Sequence, residues 1–197
     1  MMKLTVNVRR VWQYTLVVAV LMFIIGIAID SRDVERYASQ MERLMAKGDY
    51  EGALKVGNRA DASDHRLMFL RMQALNHEKL LGEKLFTYPI VGKGKEFAHL
   101  GGDYALCACL IDKDLDAFVR LLPKYYKVDD KLPLHYREAL IHYKHLHSNP
   151  LIVYSDAVLD TDYRDMQTLA DKYDDPQERQ MALFDMYKGT YWYYYAY

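Results

Sequence analysis

The chain has 197 residues, 51% of them hydrophobic and 27% charged, with a formal net charge of −1. That length fits one domain with an appendage; the charge balance gives no basic footprint for nucleic acid, and the composition is too apolar for a disordered chain. A mean hydropathy of −0.25 excludes a many-span membrane protein but leaves room for one anchor, and two cysteines cannot build a disulfide scaffold.

The first predicted element is Val11–Ile29, a run of 19 residues without a charge. As a helix it spans roughly 28 Å, close to the hydrocarbon thickness of a bilayer. Lys3, Arg9 and Arg10 precede it, Asp30 and Asp33 follow it, and Trp12 and Tyr14 stand where interfacial aromatics belong. The positive-inside rule makes residues 1–10 a cytoplasmic basic flank, 11–29 a single-pass anchor in the bilayer of the inner membrane, and 30–197 a periplasmic domain. A cleaved signal peptide is the competing reading, against which Ile29 stands where cleavage needs a small residue. On either reading the remainder is exported. It carries 23 basic and 27 acidic side chains, so nothing draws it to an anionic lipid surface.

Beyond Asp30 the apolar period is that of a helix. Val34, Tyr37, Ala38, Met41, Leu44 and Met45 form one stripe, and Leu67, Leu70, Ala74 and Leu75 form another behind a capping Asp64. Leu115, Phe118, Val119 and Leu122 repeat the pattern, as do Tyr136, Ala139, Leu140, Tyr143 and Leu146, with Pro133 suited to a first helical turn. Met166, Leu169, Ala170 and Tyr173 make a further helix. Asp175-Pro176-Gln177-Glu178 is a start signal, with a capping aspartate, Pro at the first position and Glu placed to close the box. From there Leu183, Phe184, Tyr187, Tyr191 and Tyr194 continue one face. Gly48-Asp49, Pro89 with Gly92 and Gly94, and Asn149-Pro150 interrupt the helices, and only Leu151–Tyr154 could be extended. The fold class is all-α: a transmembrane helix followed by a short stack of antiparallel helical hairpins.

The segment from Tyr37 to Ala60, with Gly48-Asp49-Tyr50-Glu51-Gly52-Ala53-Leu54 at its centre, resembles a tetratricopeptide unit. Gln40, Met41 and Gly57 depart from that pattern, and Gly101–Tyr126 carries only its helix–turn–helix outline. The phrases Glu83-Lys84-Leu85-Phe86-Thr87-Tyr88-Pro89, Leu132–Leu140 and Thr190-Tyr191-Trp192-Tyr193-Tyr194 resemble the outward-facing helical region of uncharacterised multi-span membrane proteins of the Bacteroidetes. That resemblance implies a short or truncated relative and brings no activity with it.

Candidate chemistry is sparse. His135, His142, His145 and His147 share one predicted helix, but no His-Glu-x-x-His spacing completes a metal site, and surface or interface histidines are expected. Cys107 and Cys109 project about 200° apart on a helix, wrong for a disulfide, and suit buried apolar positions. Asp112-Lys113-Asp114-Leu115-Asp116 opens like a calcium loop, yet Ala117 and Pro123 occupy the places of the required Gly and Glu, so a capping turn is expected. Gly92-Lys93-Gly94-Lys95 lacks phosphate-loop spacing and reads as a flexible loop. No catalytic residue, metal ligand or cofactor site is assigned. An enzyme assembled from His135, His142 and distant carboxylates is the least favoured reading.

Tyrosine is abundant at 18 residues, and six of the last seven positions are aromatic. Such side chains serve inter-helix packing, a recognition surface, or a membrane interface. The combined pattern predicts a non-enzymatic protein–protein interaction or scaffold module with an unidentified protein partner, for which Tyr191, Trp192 and Tyr193 are the candidate partner-binding residues. A glycan-binding module using exposed tyrosines is the alternative.

Overall fold

The computed structural model describes the backbone of residues 8–60, 62–129 and 131–197, and their side chains apart from 8–11, 13 and 23–31. The described residues are predominantly helical, and no strand occurs among them. The α-helices are α1 (Val8–Met45), α2 (Tyr50–Lys55), α3 (His65–His77), α4 (Leu81–Lys84), α5 (Gly102–Ile111), α6 (Leu115–Leu121), α7 (Leu134–Leu146), α8 (Ala157–Ala170), α9 (Pro176–Tyr187) and α10 (Tyr191–Ala196). Short 3₁₀ turns at Leu85–Thr87, Gly94–Glu96, Ala98–Leu100 and Leu122–Lys124 fill the connections.

Among the described residues no helix is long and apolar enough to cross a membrane. The flank expected over residues 1–10 and the side chains of Val11, Gln13 and 23–29 in the expected anchor lie outside the described residues. Those described between Trp12 and Met22 are all exposed, from 48% at Val20 to 71% at Trp12 among the large hydrophobics. α1 then runs on without a break, and its last third supplies Val34, Ala38 and Met41 to the core as the apolar stripe predicts.

The first three helical hairpins turn in the same way. Gly48, Lys79 and Lys113 have φ of 78°, 58° and 57°. One residue on, the N–H groups of Asp49, Leu80 and Asp114 donate to the carbonyls of Leu44, Leu75 and Cys109, five residues back, at 3.0, 2.7 and 2.8 Å. This is the Schellman closure, which satisfies a helix's last carbonyls while reversing the chain. Asp49 and Asp114 then cap the next helix by accepting from the N–H groups of Gly52 and Ala117.

α3 is apolar on two faces and joins two clusters. Leu67, Leu70 and Ala74 pack with α1 and α2, whereas Met68, Met72 and Leu75 belong to the larger core shared with α4 to α10. Between these faces Arg71 is buried, donating to the Gly57 carbonyl at 3.0 Å and to Ser63 Oγ at 3.3 Å, with its guanidinium 5.0 Å from the Tyr88 ring. The Tyr88 hydroxyl reaches back to the Leu54 carbonyl at 3.2 Å. The loop after α4 is thereby fastened to both clusters.

Three sequence expectations need correction. The Gly92–Lys95 loop is pinned rather than flexible, because Asp112 accepts from the N–H groups of Gly94 and Lys95 at 2.7 and 3.0 Å. The face running from Leu183 to Tyr194 belongs to two helices, not one: Gly189 takes φ of 93° and Thr190 caps α10, accepting from Tyr193 N–H at 3.1 Å. His135 and His142 lie in the core rather than on the surface. By contrast, Asp64 and Asp175 cap α3 and α9 as the sequence implies.

Gly94 lies against α5 so closely that an added methyl group would fall onto the Ala108 carbonyl, which is backbone and cannot swing aside. Gly94→Ala is therefore expected to lower stability by about 2 kcal/mol or more. Urea unfolding measures this, and an unchanged midpoint would contradict the docking of this loop.

Candidate aromatic groove

The C-terminal aromatic segment is held by one carboxylate. Glu138, on α7, is 2% exposed, and its Oε2 accepts from the Tyr191 N–H at 2.8 Å and from His135 Nδ1 at 2.9 Å. His135 Nε2 in turn accepts from the Phe86 N–H at 3.3 Å, so the imidazole is the neutral tautomer with its proton on Nδ1. The Trp192 indole N–H donates to the Glu138 carbonyl at 2.7 Å. Tyr191 is the first residue of α10, where a helix leaves its N–H without an internal acceptor. A buried acceptor from another helix meets that need. Glu138 and His135 thus tie α10 and the turn after α4 to the same point on α7.

Around this point the rings interlock. Phe86 lies 5.2 Å from Tyr191 and 4.8 Å from Tyr194, Trp192 lies edge-on to Tyr163 at 5.3 Å, and His142 lies 4.3 Å from Tyr195. Burial pushes the His142 imidazole down to about 4, with neighbouring His145 the lesser cause, while Nδ1 meets the Tyr163 hydroxyl at 2.8 Å. The Tyr194 hydroxyl donates to the Ile111 carbonyl at 2.7 Å, and burial pushes its pKa up to about 12. His145 and Lys144 meet Asp160 at 2.8 and 3.2 Å, and Arg164 donates to its other oxygen. The His145 hydrogen bond is the foremost cause holding the Asp160 carboxyl below its usual range.

Where α9 and α10 meet the loop after α4, an open groove of about 500 Å³ remains. One wall is Phe86, Tyr88, Pro89 and Ile90; the other is Phe184, Tyr193, Tyr194 and Tyr197, with Gln180 and Lys188 at the edge. Two hydroxyls in the lining are turned to backbone. Thr87 donates to the Lys84 carbonyl and Thr190 to the Tyr187 carbonyl, at 2.7 and 2.8 Å. The groove therefore offers ring faces and edges, with few free polar groups.

The three residues singled out from sequence separate here. Tyr191 and Trp192 are core residues, 0% and 2% exposed, and present no surface to a partner. Tyr193 alone lines the groove, and Tyr197 and Phe184 join it although the sequence did not single them out. Of the other candidates, Cys107 is buried 3.5 Å from the Tyr136 hydroxyl, and burial pushes its thiol up to about 12, whereas Cys109 is half-buried. Both thiols are free. Among the described residues no group of three or more His, Cys, Asp or Glu could hold a metal ion.

Residues 99–197, which carry Glu138, α9 and α10, match a family of unknown function, DUF6057. The chain belongs to this family. The match starts three residues before α5, so it includes the wall of the groove formed by α9 and α10 but not the Phe86–Ile90 wall. No curated protein and no solved structure matches the chain.

Two outcomes are expected. Glu138→Ala leaves the Tyr191 N–H and the His135 Nδ1–H buried without their acceptor, and should lower stability by about 3 kcal/mol or more, with loss of near-ultraviolet dichroism from the aromatic cluster. A variant with wild-type stability would refute the role given to this carboxylate. For His142 the folded pKa lies below the unfolded value, so folding excludes a proton: stability is full above about pH 6.5 and is lost as pH falls towards 4. Between pH 8 and 4.5 the loss from this residue is on the order of 2–3 kcal/mol. Subtracting the urea-derived pH profile of His142→Gln from that of the wild type isolates it, and parallel profiles would contradict the assignment.

Proposed function

We propose that this chain is a non-enzymatic interaction module, held at the inner membrane by residues 11–29, with its helical domain on the periplasmic side and the aromatic groove as its binding surface. The observation that carries the reading is the groove itself, an open, ring-lined channel on a rigid base. Tyr and Trp are favoured anchors in recognition surfaces because they bring large contact area at low entropy cost. Residues engaged elsewhere support the non-enzymatic part: the Thr87 and Thr190 hydroxyls are turned to backbone carbonyls, and burial keeps the Cys107 thiol protonated.

The three hairpins with a common turn geometry support a tetratricopeptide-like stack, an architecture whose faces commonly hold partner segments. α2, at six residues, is shorter than the second helix of such a unit. The resemblance of three phrases of the sequence to exported regions of Bacteroidetes membrane proteins supports the same placement. For the anchor, the support is the uncharged run together with the exposure of Trp12, Leu16, Val17, Val18, Val20, Leu21 and Met22, which are spread around α1. A helix apolar all round needs an apolar surrounding, and a bilayer supplies one. The glycan alternative draws on Tyr193 and Tyr197, whose rings lie 5.1 Å apart beside the groove and could stack on a sugar ring.

A photoreactive benzoyl-phenylalanine at Tyr197, beside the groove, is expected to crosslink a discrete protein in the native host, whereas the same group at exposed Lys47 is not. Equal adducts at both positions, or none at Tyr197, would overturn the reading, and retardation in polysaccharide gels without a protein adduct would favour the glycan. After an alkaline carbonate wash the chain should stay with the membranes. Its release into the supernatant would remove the anchor.

A further inference from the structure

α9 buries only Leu183 and Tyr187 of its 12 residues. On its open side Glu178, Met181, Ala182 and Asp185 follow i, i+3, i+4, i+7, which places them on one ridge with the two carboxylates roughly 10 Å apart along the axis. Met181 is 73% exposed, and beside this ridge runs a second groove of about 720 Å³, walled by Tyr173, Phe184 and Tyr193. Neither Glu178 nor Asp185 makes an ion pair with any described residue. Charge follows the same geography: residues 156–185 hold nine acidic and three basic side chains, and although Arg137 and Lys144 of α7 meet Asp156 and Asp160, and Lys188 lies 4.4 Å over the Phe184 ring, the stretch stays acidic in a chain of net −1. Of the three basic side chains within it, Arg179 is turned onto the Tyr173 carbonyl and Arg164 onto Asp160.

We propose that this ridge seats an amphipathic helix of a partner protein. The helix carries Lys or Arg two turns apart to meet Glu178 and Asp185, with an apolar stripe between them that covers Met181, Phe184 and Tyr193. The proposal rests on the interaction-module reading and names the chemistry of its partner. Complementarity decides the occupant. The i, i+7 spacing of the carboxylates matches the period of a facing helix, the local charge selects a basic one, and a flexible thioether adapts to a helix laid in a groove. An anionic lipid surface is repelled by the same charge.

The test uses the full chain in zwitterionic nanodiscs and two labelled 14-residue helical peptides, alike except for Lys or Glu at positions 4 and 11 flanking a Leu stripe. Fluorescence anisotropy should show the Lys peptide binding about tenfold more tightly than its Glu twin. Glu178→Lys with Asp185→Lys should reverse the preference, and Met181→Ser with Phe184→Ser should weaken both peptides about tenfold while leaving the helical dichroism unchanged. Equal binding of the two peptides, an unreversed preference in the charge variant, or binding that empty nanodiscs reproduce would overturn the proposal. A protein crosslinked at Tyr197 alongside any of these results would leave the module reading standing and sink the basic-helix partner alone.

Discussion

The arrangement depends on a carboxyl group placed where no water reaches it. Glu138 satisfies the first N–H of α10 and the Nδ1–H of His135, and its own backbone carbonyl takes the Trp192 indole. Each of these donors would otherwise be buried without a partner, at a cost of about 1–3 kcal/mol apiece. A six-residue helix such as α10 does not hold itself together in water, because nucleation is unfavourable and few hydrogen bonds follow it. Its order comes from outside: from Glu138, from the Thr190 cap and from rings packed against Phe86 and Tyr163. The groove is a consequence, since two of its walls, the Phe86 turn and α10, hang from the same histidine–glutamate pair.

This geometry separates two uses of tyrosine. Tyr191 and Tyr143 give their area to the core, as does Tyr136, whose hydroxyl donates to Asp103 at 2.9 Å. Tyr193 and Tyr197 keep their rings at the surface, where Phe184 continues them towards the acidic ridge of α9. The two grooves share Gln180, Phe184 and Tyr193 and so adjoin one another. At the opposite end of the chain, α1 passes directly from its exposed apolar stretch into the core without an intervening linker, which couples whatever surrounds that stretch to the packing of Val34 and Ala38.

Much of the fold was legible because it is local. Helical period located the buried stripe of α1, and Asp64 and Asp175 announced the starts of α3 and α9 through side chains that reach N–H groups two or three residues away. The site was less legible because its decisive contact joins positions 53 residues apart. One signal was present. His135, Glu138 and His142 follow i, i+3, i+7 beside the apolar stripe of α7, so this helix is buried nearly all round, and polar residues on such a helix need partners. The break before α10 was also written in the chain, as Gly189 followed by a capping Thr190, but the apolar period continues across it and masks the stop. Naming Tyr191, Trp192 and Tyr193 together could not separate them by depth: Tyr191 and Trp192 are buried, and Tyr193 lies at the groove.

The most direct measurement of the central claim is native-state hydrogen exchange at the Tyr191 amide. If Glu138 holds α10 to α7, that proton exchanges only when the whole domain opens, with a protection free energy equal to that of global unfolding. Exchange near the rate of an unstructured peptide, while the amides of α7 stay protected, would show that the C-terminal helix is not fastened there.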